Sequence, residues 1–192
     1  NVILIIVSNP MDTMTYLVHK SSKIDKNRII GMGGALDSAR FKYRVSEALG
    51  CPVSDVEGLV IGGHSDTGMI PLTRFATRNS VRISEYLSKD ELVDISEKTK
   101  IGGATLTSML GTSAWYAPGA AVSSLVHSIA CDQKKMFPCS AFLDGEYGLS
   151  DLCIGVPVIL GRNGIEKVVE LDLDEDEMRK LRLSAESVKK TN

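Results

Sequence analysis

The chain has 192 residues, 43% of them apolar and 24% charged, with a formal net charge of −2. That balance fits one soluble domain with a sizeable core. It excludes the basic footprint of a nucleic-acid binder, since Lys134-Lys135 and Lys189-Lys190 are isolated pairs that read as solvated surface. Four cysteines, Cys51, Cys131, Cys139 and Cys153, show neither CxxC nor metal-ligand spacing. They read as reduced thiols of a cytoplasmic chain, with no metal site.

The apolar run Val2-Ile3-Leu4-Ile5-Ile6-Val7 is too short to span a bilayer and lacks the flanks of a signal peptide. It reads as a buried strand, which needs neighbours on both sides. Nothing precedes it here, so a piece of a larger domain is expected. Ser8-Asn9-Pro10 then leads into a helix over 11–22, whose Met11, Met14, Leu17 and Val18 recur at helical spacing. Residues 27–31 form a short extended piece. A helix from Gly34 to Leu49 follows, closed by Gly50. Val60-Ile61 and Met69-Ile70 read as strands, the second continuing towards Phe75-Ala76-Thr77. Ser88 caps a helix from Lys89, with Glu91 at capping-box spacing, running to Leu110 with a possible break at Gly102-Gly103. A further helix covers 116–132. Strands 136–143, 152–160 and 166–171 follow, the last two joined by the turn Gly161-Arg162-Asn163-Gly164. A helix over 174–190 closes the chain, acidic at its start and basic at its end, which complements the helix dipole.

Two phrases carry chemistry. Asp37-Ser38-Ala39-Arg40 places a carboxylate and a guanidinium three residues apart on one helix. Alone, that pair reads as a surface ion pair. Gly62-Gly63-His64-Ser65-Asp66 places a histidine between glycines and a small polar loop at a strand end. Most lone histidines are structural, and His19 and His127, inside helices, are read that way. His64 stands on the kind of loop that presents catalytic groups. Carboxylate, histidine and arginine together can move a proton and hold an anion. Gly31-Met32-Gly33-Gly34 fails as a dinucleotide fingerprint, because its third glycine is misplaced and the strand before it is short.

Five phrases run in one order along the chain: Val7-Ser8-Asn9-Pro10-Met11-Asp12, Gly31-Met32-Gly33 with Leu36-Asp37-Ser38-Ala39-Arg40-Phe41, Gly62-Gly63-His64-Ser65-Asp66-Thr67, Tyr116-Ala117-Pro118 and Gly155-Val156-Pro157-Val158. With them the chain resembles the lactate/malate dehydrogenase family, and within it the lactate-dehydrogenase-like malate dehydrogenases. Lactate dehydrogenases typically have a glutamate before the histidine and a serine where Met32 stands, so Gly63 and Met32 favour malate.

The resemblance implies an α+β fold of mixed helices and antiparallel strands. Residues 1–9 would be a strand left from a Rossmann nucleotide-binding domain, and 10–192 the catalytic, substrate-binding domain. It implies NAD as cofactor, a small dicarboxylate as substrate and a homodimer or homotetramer. His64 would be the acid/base, Asp37 its orienting carboxylate, and Arg40 the grip on the substrate carboxylate. Asn9 would lie near the reacting oxygen and the nicotinamide, Val7 and Met32 would flank that ring, and Ser113 would line the substrate pocket. It also implies a cis Asn9-Pro10 bond. The family's phosphate loop and substrate-closing loop lie outside these residues, so the 192-residue piece is expected to be inactive alone. Two alternatives stay open: another 2-hydroxyacid dehydrogenase such as a lactate dehydrogenase, and a non-catalytic interaction domain on the same scaffold.

Overall fold

A computed structural model of the chain describes residues 2–192. In chain order its elements are β1 (Leu4–Ile6), α1 (Met11–Ser21), β2 (Ile29–Gly31), α2 (Gly33–Leu49), β3 (Val56–Glu57), β4 (Val60–Gly62), β5 (Met69–Pro71), β6 (Thr77–Arg78), β7 (Val81–Arg82), α3 (Lys89–Leu110), α4 (Tyr116–Ala130), β8 (Lys135–Asp144), β9 (Ser150–Gly161), β10 (Gly164–Val168) and α5 (Glu175–Lys189).

The frame is the long antiparallel pair β8–β9, in register from Lys135 opposite Leu160 to Leu143 opposite Leu152, with a bulge before Asp144 pairs with Ser150. The larger sheet runs β1-β2-β8-β9-β4-β5, with β10 also paired to β9. Only β1–β2 is parallel. Helices α1, α2, α4 and α5 pack on this sheet. The middle of β9 is therefore buried without a break from Leu152 to Val158, and its sequence is continuously apolar instead of alternating. A second apolar cluster sits at the far end of α2, where Phe41 and Val45 meet Val56, Ile83 and Ile95 beside the small sheet β3-β6-β7.

Local chemistry sets the element ends. Ser88 and Glu91 form a reciprocal capping box at the start of α3, as do Asp174 and Glu177 at the start of α5. Gly50 closes α2 in the left-handed region at φ 57°. The Asn9–Pro10 peptide is cis.

Several expectations need correction. Residues 2–7 give only a three-residue strand, half-buried and at the edge of the sheet. The strand at 69 stops at Pro71; a 3-10 turn over Thr73–Phe75 intervenes before β6 joins the other sheet. The strand expected at 166–171 begins earlier, at Gly164, because the two-residue turn pairs Gly164 directly with Gly161. Helix α3 passes through Gly102-Gly103 unbroken. In α1 the buried residues are Met11, Asp12 and Thr15, while Leu17 is exposed. Among the described residues no helix is long and apolar enough to cross a membrane.

Candidate active site

The turn between β4 and β5 carries His64. Gly62 stands at φ 89°, and a Cβ there would run into the Gly68 carbonyl oxygen. Ser184 on α5 ties the turn down, accepting from the Gly63 N–H at 2.8 Å and donating to the Gly68 carbonyl at 2.9 Å. Gly62→Ala is expected to lower the unfolding free energy by roughly 1–3 kcal/mol, since an alanine has neither the backbone freedom nor the room. Urea denaturation measures it, and unchanged stability would contradict the strain argument.

Helix α2 supplies the partners. Asp37 is 1% exposed, and both of its oxygens are used. Oδ2 lies 2.6 Å from His64 Nδ1, and Oδ1 accepts from Arg40 Nη1 at 3.1 Å. With Nδ1 engaged, Nε2 is the ring nitrogen free to exchange a proton. Asp37 and Arg40 do form an ion pair, but not a surface one, because Asp37 is buried and also holds the histidine.

Close packing explains the glycines around this cluster. A Cβ on Gly33 would stand 2.8 Å from His64 Cγ, so only a glycine lets α2 begin against the imidazole. A Cβ on Gly103 would lie 3.2 Å from Arg40 Nη1. The glycine pair inside α3 is thus a flat seat for a guanidinium, reached without breaking the helix.

His64 and Arg40 open onto a cleft of about 640 Å³. Val7, Asn9, Met32 and Ser113 line the same cleft, so six of the seven residues singled out from the sequence share one wall, with Asp37 directly behind. Val7 is exposed at the edge; Met32 is buried and forms the floor. Sequence reasoning missed Lys100 and Trp115, which also line it, and Asp12, which lies beneath it. Asp12 Oδ2 accepts from the His64 backbone N–H at 2.7 Å, and Oδ1 accepts from the Ser140 hydroxyl at 2.6 Å.

Electrostatics follow from these contacts. Burial is the largest influence on His64 and works against its charged form. The hydrogen bond and charge of Asp37, aided by Asp12, outweigh it, while Arg40 opposes them; the pKa ends above its ordinary value. Burial, aided by the charge of Asp37, raises the pKa of Asp12 against the hydrogen bonds from Ser140 and His64 and the charge of His64. Burial also pushes the thiols of Cys139 and Cys153 far up, which makes them inert. Among the described residues no cluster of three or more His, Cys, Asp or Glu side chains forms a metal site.

A histidine oriented by a carboxylate, beside a guanidinium in one cleft, has the chemistry to move a proton and to hold an anionic group. The model of the lactate/malate dehydrogenase α/β C-terminal domain matches residues 34–192. The malate dehydrogenase of Bacteroides thetaiotaomicron is 63% identical over all 192 residues, which cover 61% of that protein. Among solved structures, the malate dehydrogenase from Salinibacter ruber superposes with a TM-score of 0.95 at 45% identity, over 98% of this chain and 61% of that one. The lactate dehydrogenase from Eimeria maxima with NADH and oxamate gives 0.93 at 36% identity, over 97% and 58%. The chain belongs to the lactate/malate dehydrogenase family, and it spans about 61% of the length of the Bacteroides thetaiotaomicron relative.

Proposed function

We propose that the chain is the catalytic domain of an NAD-dependent malate dehydrogenase, which interconverts malate and oxaloacetate. The observation that carries the reading is the 2.6 Å contact between His64 and Asp37 in a cleft shared with Arg40 and Asn9. In the oxidation direction His64 Nε2 takes the hydroxyl proton as C2 loses a hydride. Asp37 stabilises the imidazolium and keeps Nδ1 protonated. Arg40 binds the C1 carboxylate with the guanidinium edges Asp37 leaves free. Asn9 offers its amide to the reacting oxygen.

NAD, when bound, supplies the hydride acceptor. The cleft suits its nicotinamide, for the apolar Val7, Met11, Met32 and Leu36 share the wall with the polar His64 and Arg40. Malate is favoured over lactate by Gly63. Its Cβ would stand 2.9 Å from Val188 Cγ2, so the glutamate typical of lactate dehydrogenases would require the Val188 side chain to give way. Retention of Asp37, Arg40 and His64 in one cluster weighs against a non-catalytic interaction domain, which needs none of them.

We also read residues 1–9 as belonging to the nucleotide domain's sheet, the chain as cytoplasmic with free thiols, and the assembly as a homodimer or homotetramer. The oligomer is supported by apolar surface where α3 ends and α4 begins, with Met109, Leu110, Trp115 and Tyr116 all exposed. The test joins this chain to the part of the Bacteroides thetaiotaomicron malate dehydrogenase that it does not cover. The joined enzyme is expected to reduce NAD with malate much faster than with lactate, and to run as a multiple of its protomer mass in light scattering. The 192-residue chain alone, which has no glycine-rich phosphate loop, is expected to show no turnover. Lactate preferred over malate, or a joined protein with neither activity, would sink the reading.

A further inference from the structure

Asp12 is a carboxylate where an amide would satisfy the same hydrogen bonds. An asparagine there could accept from the His64 N–H and donate to Ser140 Oγ. A buried ionised carboxylate is costly unless something positive faces it. Asp12 is 6% exposed, and its two hydrogen-bond donors are a backbone N–H and a hydroxyl, both neutral. Burial and the charge of Asp37 both work against its ionised form, and the cationic group that opposes them is His64.

We propose that Asp12 is a positioning residue for His64, holding its peptide by a hydrogen bond and its imidazolium by charge, from α1, on a different element from Asp37 on α2. The claim rests on His64 as the acid/base of the proposed reaction. The arrangement answers a problem that reaction poses. During oxidation His64 becomes an imidazolium in a partly buried site, 14% exposed, with the cation Arg40 beside its partner Asp37. One carboxylate is then shared between two cations. Asp12 adds a second negative charge that Arg40 does not share. The other charged groups of the cleft are Asp66 on the histidine's own loop and Lys100 on α3; from β8 comes only the neutral Ser140. The contacts also make α1 and the histidine loop one unit, so Asn9, just before α1, keeps its place relative to His64.

The test is a proton titration of the protein by NMR, following the His64 ring carbons in the native chain and in Asp12→Asn. The expected result is a His64 midpoint lower by about one pH unit in Asp12→Asn, the size of effect a nearby opposite charge has. An unchanged midpoint overturns the proposal, because a purely structural Asp12 would leave it alone. Should Asp12→Asn fail to fold, the carboxyl carbon of Asp12 in the native chain decides. It must show an inflection at the pH where His64 titrates, and a carbon blind to that pH overturns the proposal. The titration needs no turnover. It therefore decides the role of Asp12 whichever way the activity of a His64→Asn enzyme falls.

Discussion

Replacing His64 with asparagine in the joined enzyme is expected to cut kcat for malate oxidation by about a thousandfold, with a small change in KM. Asparagine keeps a side-chain amide within reach of Asp37 but has no titrating nitrogen to receive the hydroxyl proton. The substrate carboxylate still meets Arg40, so binding survives where chemistry fails. The pH profile follows from the same group. Oxidation needs neutral His64, so kcat/KM should fall as pH drops through its pKa. That pKa stands above the ordinary value of about 6.5. Oxaloacetate reduction needs the imidazolium, so it should fall as pH rises through the same point. Stability follows with a fixed sign. A raised folded pKa gives His64 a stabilising contribution that is complete below about 6.5 and lost as pH rises through the folded value. His64→Asn should flatten that slope in urea titrations across the neutral range. A variant with more than about a tenth of native kcat would remove His64 from the chemistry.

The parts of this site were legible to different degrees, for physical reasons. His64 was readable because glycines around a lone histidine at a strand end leave little structural purpose for it. Asp37 and Arg40 were readable as a pair, because i,i+3 spacing on a helix forces proximity. Asp12 was hidden by the logic that found α1. Apolar spacing nominated Met11, Met14, Leu17 and Val18 as the inward stripe, yet Leu17 is exposed while Asp12 and Thr15 are buried. Helical periodicity assumes that burial tracks hydrophobicity. Here the buried face is partly polar because it carries hydrogen bonds to the histidine loop and to Ser140, and Thr15 returns its hydroxyl to the Met11 carbonyl at 2.8 Å. Glycines misled in a similar way. Gly31 would place a Cβ 2.6 Å from Ser140 Cβ, Gly33 would meet His64, and Gly103 faces Arg40. Their purpose is close approach between elements distant in sequence, which no local pattern reports. The small sheet β3-β6-β7 escaped for another reason. Two-residue strands have no periodicity to read, and they are held from outside by the cluster around Phe41 and Ile83.

Arg40→Lys in the joined enzyme is expected to raise KM for malate by roughly a hundredfold, although the charge is preserved. Arg40 has two tasks that pull in different directions. Its Nη1 donates to Asp37 Oδ1 at 3.1 Å, and its remaining N–H groups face the cleft, where a carboxylate can be gripped by two parallel bonds. A planar fork does both at once. A single ammonium either stays with Asp37 and leaves the substrate half-held, or swings to the substrate and leaves one Asp37 oxygen buried without a partner. The seat is cut for the plane as well. Gly103 leaves room for a flat group, with Nη1, Nη2 and Cζ all within 3.4 Å of where a Cβ would stand, and a lysine leaves that space unfilled. A secondary fall in kcat is expected, about tenfold, because Asp37 freed from Arg40 holds the His64 ring less firmly. The melting temperature should move by only a few degrees if lysine keeps its bond to Asp37, and by more if it leaves that buried oxygen unpartnered, at about 1–3 kcal/mol. Steady-state kinetics with malate, and titration with a non-reacting dicarboxylate, separate the two effects. Lysine binding the dicarboxylate within about threefold of native would mean that charge alone recruits the substrate, and that the fork geometry built by Asp37 and Gly103 serves the fold and not the reaction.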